Sequence, residues 1–131
     1  MTDICLLRHA ESEANVSGIL CGNMDVDLTH RGRMQLIDLK NAIQKRSLYF
    51  DNIYSSPLKR TVKTAVSIAR QHQSVDLVDE LMEQDTGKYS HWQKSRYVME
   101  IDPRMERQSM HPDLKFIGGE SLFDVQQRAV K

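Results

Sequence analysis

An excess of either charge, a supply of cysteine and any long apolar run are all missing from this 131-residue chain. Its 18 basic and 18 acidic side chains cancel to a formal net charge of zero, so no bulk field draws it to nucleic acid or to a membrane surface. No apolar run approaches the length that spans a bilayer. Met1-Thr2-Asp3 has no basic segment followed by a long apolar stretch, so no signal peptide is visible. The only cysteines are Cys5 and Cys21. Two reduced thiols in a cytoplasmic protein are the expectation, with a Cys5–Cys21 bridge left open. No repeat, low-complexity tract or linker divides the chain, and a hydrophobic content of 40% rules out wholesale disorder. One domain over residues 1–131 is expected.

Strand and helix signals alternate in what is present. Ile4 to Leu7 reads as a buried strand. Thr29 is a good N-cap for a helix from about His30 to Arg46, in which Leu36, Leu39 and Ile43 recur at helical spacing. Asp51 to Ser55 reads as a second strand. Ser56-Pro57 opens a helix with Leu58, Val62, Ala65, Val66 and Ala69 on its apolar stripe, and Val75 to Val78 is a third strand. Ser90-x-x-Gln93 predicts a capping box before a helix with Trp92 and Met99 in the core, and Pro103 ends that helix or lies just past it. Ser121 caps a last helix with Leu122, Val125 and Ala129 inward. This order predicts an α/β sandwich with a largely parallel sheet.

Four pieces carry chemistry. Arg8-His9 stands at the end of the first strand, where open α/β sheets place ligand crevices. An arginine fork fits phosphate oxygens, and a neutral imidazole can attack phosphorus. Arg60 falls in the first turn of the helix after the second strand, where free amides and the dipole already favour an anion. Glu83 lies just past the third strand. Glu80 and Asp85 stand close by, and its Leu-x-Glu setting favours Glu83. Gly118-Gly119-Glu120-Ser121 is a glycine turn into a capped helix, more in keeping with a capped turn than with a catalytic pair.

The segments LLRHAESEAN at 6–15, DVDLTHRG at 25–32, YSSPLKRTVKTA at 54–65, LMEQDTG at 81–87 and GGES at 118–121 together resemble the histidine phosphatase superfamily, in its phosphoglycerate-mutase-like branch. That resemblance implies a three-layer α/β sandwich, its mostly parallel central sheet flanked by helices. It implies a metal-independent phosphatase that needs no cofactor and acts on a small phosphorylated metabolite. His9 would be the nucleophile, Arg8 and Arg60 would hold the phosphate, Glu83 would be the general acid, and Asn15 would stand near the phosphate. Chemistry adds two requirements: a hydrogen bond from the other ring nitrogen of His9 to a carbonyl, and partial burial of Glu83.

The family also carries a second pocket histidine, in an apolar strand followed by His-Gly after the Gly-Glu-Ser turn. No such segment occurs before Lys131. The resemblance therefore implies a C-terminally incomplete domain, a fragment in preference to a strand donated by another chain or a degenerate form. A sheet built by this chain alone should show a gap or rearranged pairing. Gln84 to Gly87 does not match the Arg-His-Tyr-Gly run of the mutases, which favours hydrolysis over mutase chemistry. A phosphate-binding module without turnover is the other expectation to be separated. Lys88, Lys94, Arg96, Arg104, Arg107 and Lys115 make residues 88–115 locally basic, either as a solvated face or as a lid over an anionic substrate.

Overall fold

Thr29 starts the longest helix, as its side chain predicts: Oγ1 accepts from the Gly32 amide at 2.9 Å, and α2 runs His30–Lys45. The computed structural model describes residues 2–130. Before α2 comes a single short helix, α1 (Glu13–Ser17), which ends on Gly18 in the left-handed region. Residues 11–13 run antiparallel to 27–29 through Glu13 N to Asp27 O and Thr29 N to Glu11 O, both 3.0 Å, and an isolated bridge joins Ser12 to Leu28. That pairing buries both Ser12 and Leu28 completely.

A parallel pair of short strands follows, β1 (Tyr54–Ser55) and β2 (Asp76–Leu77), with Tyr54 opposite Asp76 and Ser55 opposite Leu77. Between them lies α3 (Lys59–Ile68), packed on α2. This is a βαβ crossover of the expected kind. Residues 4–7 correct one expectation: they form no strand. Ile4 is 83% and Leu6 92% exposed. A strand exists only where a neighbour trades backbone hydrogen bonds with it. No described segment does so for residues 4–7.

Helix starts also differ from the sequence signals. α3 begins at Lys59, not at Pro57. The Ser56 hydroxyl is 2.7 Å from Thr61 Oγ1, while Asp25 Oδ1 accepts from the Lys59 amide at 2.6 Å. The cap thus comes from a residue 34 positions away in sequence. Leu58 and Ala65 of the expected stripe are buried, but Val66 faces solvent. α4 is Lys94–Glu100, and Ser90 is not its cap: the Ser90 hydroxyl donates to Gly87 O at 2.9 Å instead. Met99 is 77% exposed, against its expected place in the core.

Residues 88–116 have an apolar centre of their own. Tyr89, Tyr97, Met105 and Phe116 are buried together, with Leu20, Trp92, Val98 and Leu114 against them. Tyr89 meets Tyr97 edge-on at 4.6 Å between ring centroids, and Tyr97 meets Phe116 at 5.2 Å. Each such pair adds about 0.5–1.5 kcal/mol beyond area burial. The basic residues here are largely engaged: Arg96 pairs with Glu100 and stacks on Trp92, Arg104 pairs with Asp102, and Lys115 pairs with Asp124. Those contacts suit a solvated face better than a lid.

α5 (Leu122–Ala129) starts as predicted, with Ser121 Oγ accepting from Asp124 N at 3.1 Å and Asp124 Oδ2 accepting from Ser121 N at 2.8 Å. Leu122 and Val125 are half-buried, whereas Ala129 is exposed. The Ser121 amide, helped by the Lys115 ammonium, holds the Asp124 carboxyl down at about 2, against an ordinary 3.8. A value lower in the folded than in the unfolded chain gives stability that is complete above about pH 4. It is lost as pH falls through 2. Thermal unfolding followed at pH 5 and pH 2 should therefore show a smaller acid loss for Asp124→Asn than for the unsubstituted chain. Equal losses would remove Asp124 from the account.

Candidate active site

His9 follows the apolar run and is half-buried. Its Nδ1 lies 2.7 Å from Ala10 O, the carbonyl partner that chemistry required. With Nδ1 as donor, Nε2 keeps its lone pair. The Ala10 amide donates to Thr64 Oγ1 at 3.1 Å, and that hydroxyl donates to Arg60 O at 2.8 Å. Thr64 therefore ties the histidine segment to the first turn of α3. Sequence reasoning missed it, although it sits one turn after Arg60, where a side chain shares its face.

Arg60 is 2% exposed. Its Nη1 donates to Met24 O at 2.7 Å and its Nη2 to Gly22 O at 2.9 Å. Two of its five guanidinium N–H groups are thus engaged by backbone carbonyls. No carboxylate pairs with Arg60 among the described residues within ion-pair distance. A buried, uncompensated guanidinium is costly without a bound anion. Arg8, by contrast, is exposed and makes no hydrogen bond or ion pair among the described residues.

Glu83 and Asn15 share the wall of a cavity of about 400 Å³ with Cys21, Gly22, Lys94 and Gln108. Asn15 Oδ1 accepts from Ser12 N at 2.9 Å and from Ser12 Oγ at 3.0 Å, a helix-start role that leaves its amide nitrogen for the cavity. Glu83 is exposed, against the partial burial expected of it. The loop buries the next residue, Gln84, whose Nε2 donates to Glu120 O at 2.8 Å. Cys21 lines this cavity with Glu83 and feels the charge of Arg60. Neither this cavity nor a smaller one of about 250 Å³ beside Glu83, Glu120 and Arg128 is lined by Arg8, His9 or Arg60. The structure thus unites Asn15 with Glu83, and His9 with Arg60 through Thr64, while Arg8 stands apart.

Both cysteines are free thiols. Burial pushes the Cys21 thiol up; the Arg60 charge works against this, and Glu83 adds to it. A protonated, half-covered thiol is a poor nucleophile. Iodoacetamide at neutral pH should modify exposed Cys5 well before Cys21, as peptide mass mapping would read. Faster loss of the Cys21 thiol would contradict that environment.

The profile of the histidine phosphatase superfamily (branch 1) matches residues 4–131. Phosphoserine phosphatase 1 of Hydrogenobacter thermophilus is 38% identical over 98% of the chain, which spans 61% of that protein. A 2,3-bisphosphoglycerate-dependent phosphoglycerate mutase of Bartonella bacilliformis is 39% identical over 56% of the chain and 36% of its own length. Among solved structures, a mycobacterial glucosyl-3-phosphoglycerate phosphatase in complex with VO3 superposes with a TM-score of 0.81 at 25% identity, covering 92% of this chain and 60% of that one. The chain thus spans about three fifths of the length of its phosphatase relatives. The likeness extends through the phosphoglycerate-mutase-like α/β fold expected from the sequence.

Proposed function

Because the chain belongs to the histidine phosphatase superfamily, branch 1, we propose that it hydrolyses small phosphate monoesters through a phosphohistidine on His9. The observation that carries this is a hydrogen-bonded path, His9–Ala10–Thr64, that ties the oriented imidazole to the backbone carbonyl of Arg60, whose side chain is buried. His9 Nε2 attacks phosphorus, the N–P bond forms, and the ester P–O bond breaks. Arg60, with Arg8 swung in from solvent, holds the phosphoryl oxygens; each charge-assisted bond is worth roughly 1.5–3 kcal/mol. Glu83 gives its proton to the leaving oxygen. It then takes one from the water that attacks phosphorus, inorganic phosphate leaves, and His9 is restored. Asn15 lends its amide to the bound ester. No metal or cofactor enters these steps.

Hydrolysis is favoured over mutase transfer because likeness to the phosphatase relative runs through nearly the whole chain, and likeness to the mutase through about half. The class of alcohol is proposed only as a small polar one, a phosphorylated hydroxy acid or amino acid such as phosphoserine. Incubating the 131-residue chain with p-nitrophenyl phosphate should release nitrophenol, with an acid-labile phosphoenzyme trapped on quenching. Binding of vanadate with neither product would leave a phosphate-recognising module in its place.

A further inference from the structure

We propose that Arg128 is a positioning residue for Glu83, holding the acid-bearing loop in place from the far end of the chain through Glu120. This rests on the assignment of Glu83 as the general acid. Arg128 lies near the end of α5, 45 positions after Glu83, and no sequence motif joins the two. Its Nε donates to Glu120 Oε1 at 2.8 Å and its Nη2 to Glu120 Oε2 at 3.0 Å, a bidentate pair in which each side chain is at least three-quarters covered. Its remaining reach goes to the loop itself, with Nη1 on Glu80 O and Nη2 on Glu83 O at 3.2 Å.

Glu120 completes the grip from the other side. Its Oε2 accepts from Asp85 N at 2.9 Å, its amide donates to Asp85 O at 2.8 Å, and its carbonyl accepts from Gln84 Nε2 at 2.8 Å. A Cβ on Gly119 would fall 2.3 Å from Asp85 O, so only glycine lets the two loops meet. The Arg128 partner holds the Glu120 carboxyl below the usual range. Five hydrogen bonds to Arg128 and Glu120 thus fix Glu80, Glu83, Gln84 and Asp85. Among the described residues, the Glu83 side chain has only the next amide, Gln84 N at 3.2 Å, to orient it. An exposed acid on a loop delivers a proton only if its backbone is held. Arg128 supplies that hold without touching substrate.

The test compares two esters by kcat/KM, which reports transfer to His9 and not the later hydrolysis. The nitrophenolate of p-nitrophenyl phosphate leaves without a proton, whereas the alkoxide of glycerol 3-phosphate needs one. Arg128→Met should lower kcat/KM for the alkyl ester at least tenfold more than for the aryl ester, with vanadate inhibition shifted less than threefold. Arg128→Lys should recover part of the loss. An equal fall for both esters would make Arg128 a merely structural residue and overturn the proposal. If Arg128→Met does not fold, Glu120→Gln must give the same split between esters. If the unsubstituted chain turns over neither ester, phosphatase chemistry on His9 fails separately. The hold on the loop is then read from amide hydrogen exchange: Arg128→Met must speed exchange at Asp85 at least tenfold with α2 unaffected, and unchanged exchange would overturn it.

Discussion

His9→Ala should remove the proposed phosphomonoester turnover: hydrolysis of p-nitrophenyl phosphate is expected to fall on the order of 10³-fold or more, with no phosphoenzyme trapped. The size of the effect follows from the chemistry. Phosphoryl transfer asks little covalent work of a protein, but in the proposed mechanism the nucleophile is His9 itself, so its loss removes the first bond formed. His9 Nδ1 is held on Ala10 O, and Ala10 N on Thr64, so the ring is oriented by the same turn that carries Arg60. Competitive inhibition by inorganic phosphate should survive in the variant, because the guanidinium groups remain. Turnover within tenfold of the unsubstituted chain would place the nucleophile elsewhere. Loss of phosphate inhibition together with turnover would indicate collapse of the site instead.

Gly32→Ala is the second large effect, and it acts on folding. A Cβ at position 32 would lie 2.1 Å from Glu11 O, against backbone that cannot swing away. Glu11 is itself held there by Thr29 N to Glu11 O at 3.0 Å. Alanine normally favours a helix interior by about 1 kcal/mol over glycine. Here the clash outweighs that gain, because overpacking against fixed atoms costs about 3 kcal/mol or more. A fall in Tm on the order of 10 °C is expected by calorimetry. An unchanged or raised Tm would mean that α2 can shift away from residue 11 at no cost.

How much of this was legible in the sequence differs by element. α2 could be read because its cap, its apolar spacing and its start are encoded within one stretch, Thr29 to Ile43. The same holds for Ser121 with Asp124. α3 was displaced because its cap is Asp25, 34 residues upstream of Lys59, and nothing near Ser56 signals that partner. Residues 4–7 have the composition of a strand, yet a strand is a relation between two segments, and composition describes only one of them. At the site, His9, Arg60, Asn15 and Glu83 were named from motifs. The links that place them, Thr64 and the Glu120–Arg128 pair, were not. Those links are hydrogen bonds between distant segments, and their residue types have commoner uses in caps and on surfaces. The burial of Arg60 and the exposure of Glu83 were illegible for the same reason: each is set by what another loop covers.

The loop at 22–25 grips α3 twice, through Asp25 on the Lys59 amide and through two carbonyls on Arg60. An insertion or deletion in that loop would be transmitted at once to the buried Arg60 side chain, so this edge of the molecule is poor ground for diversification. Residues 88–116 close around four aromatic and methionine side chains of their own. They form a cassette in which Tyr97, Met105 and Phe116 both pack together and line the cavity beside Glu83. A change on that wall would therefore be felt through the packing of the whole cassette.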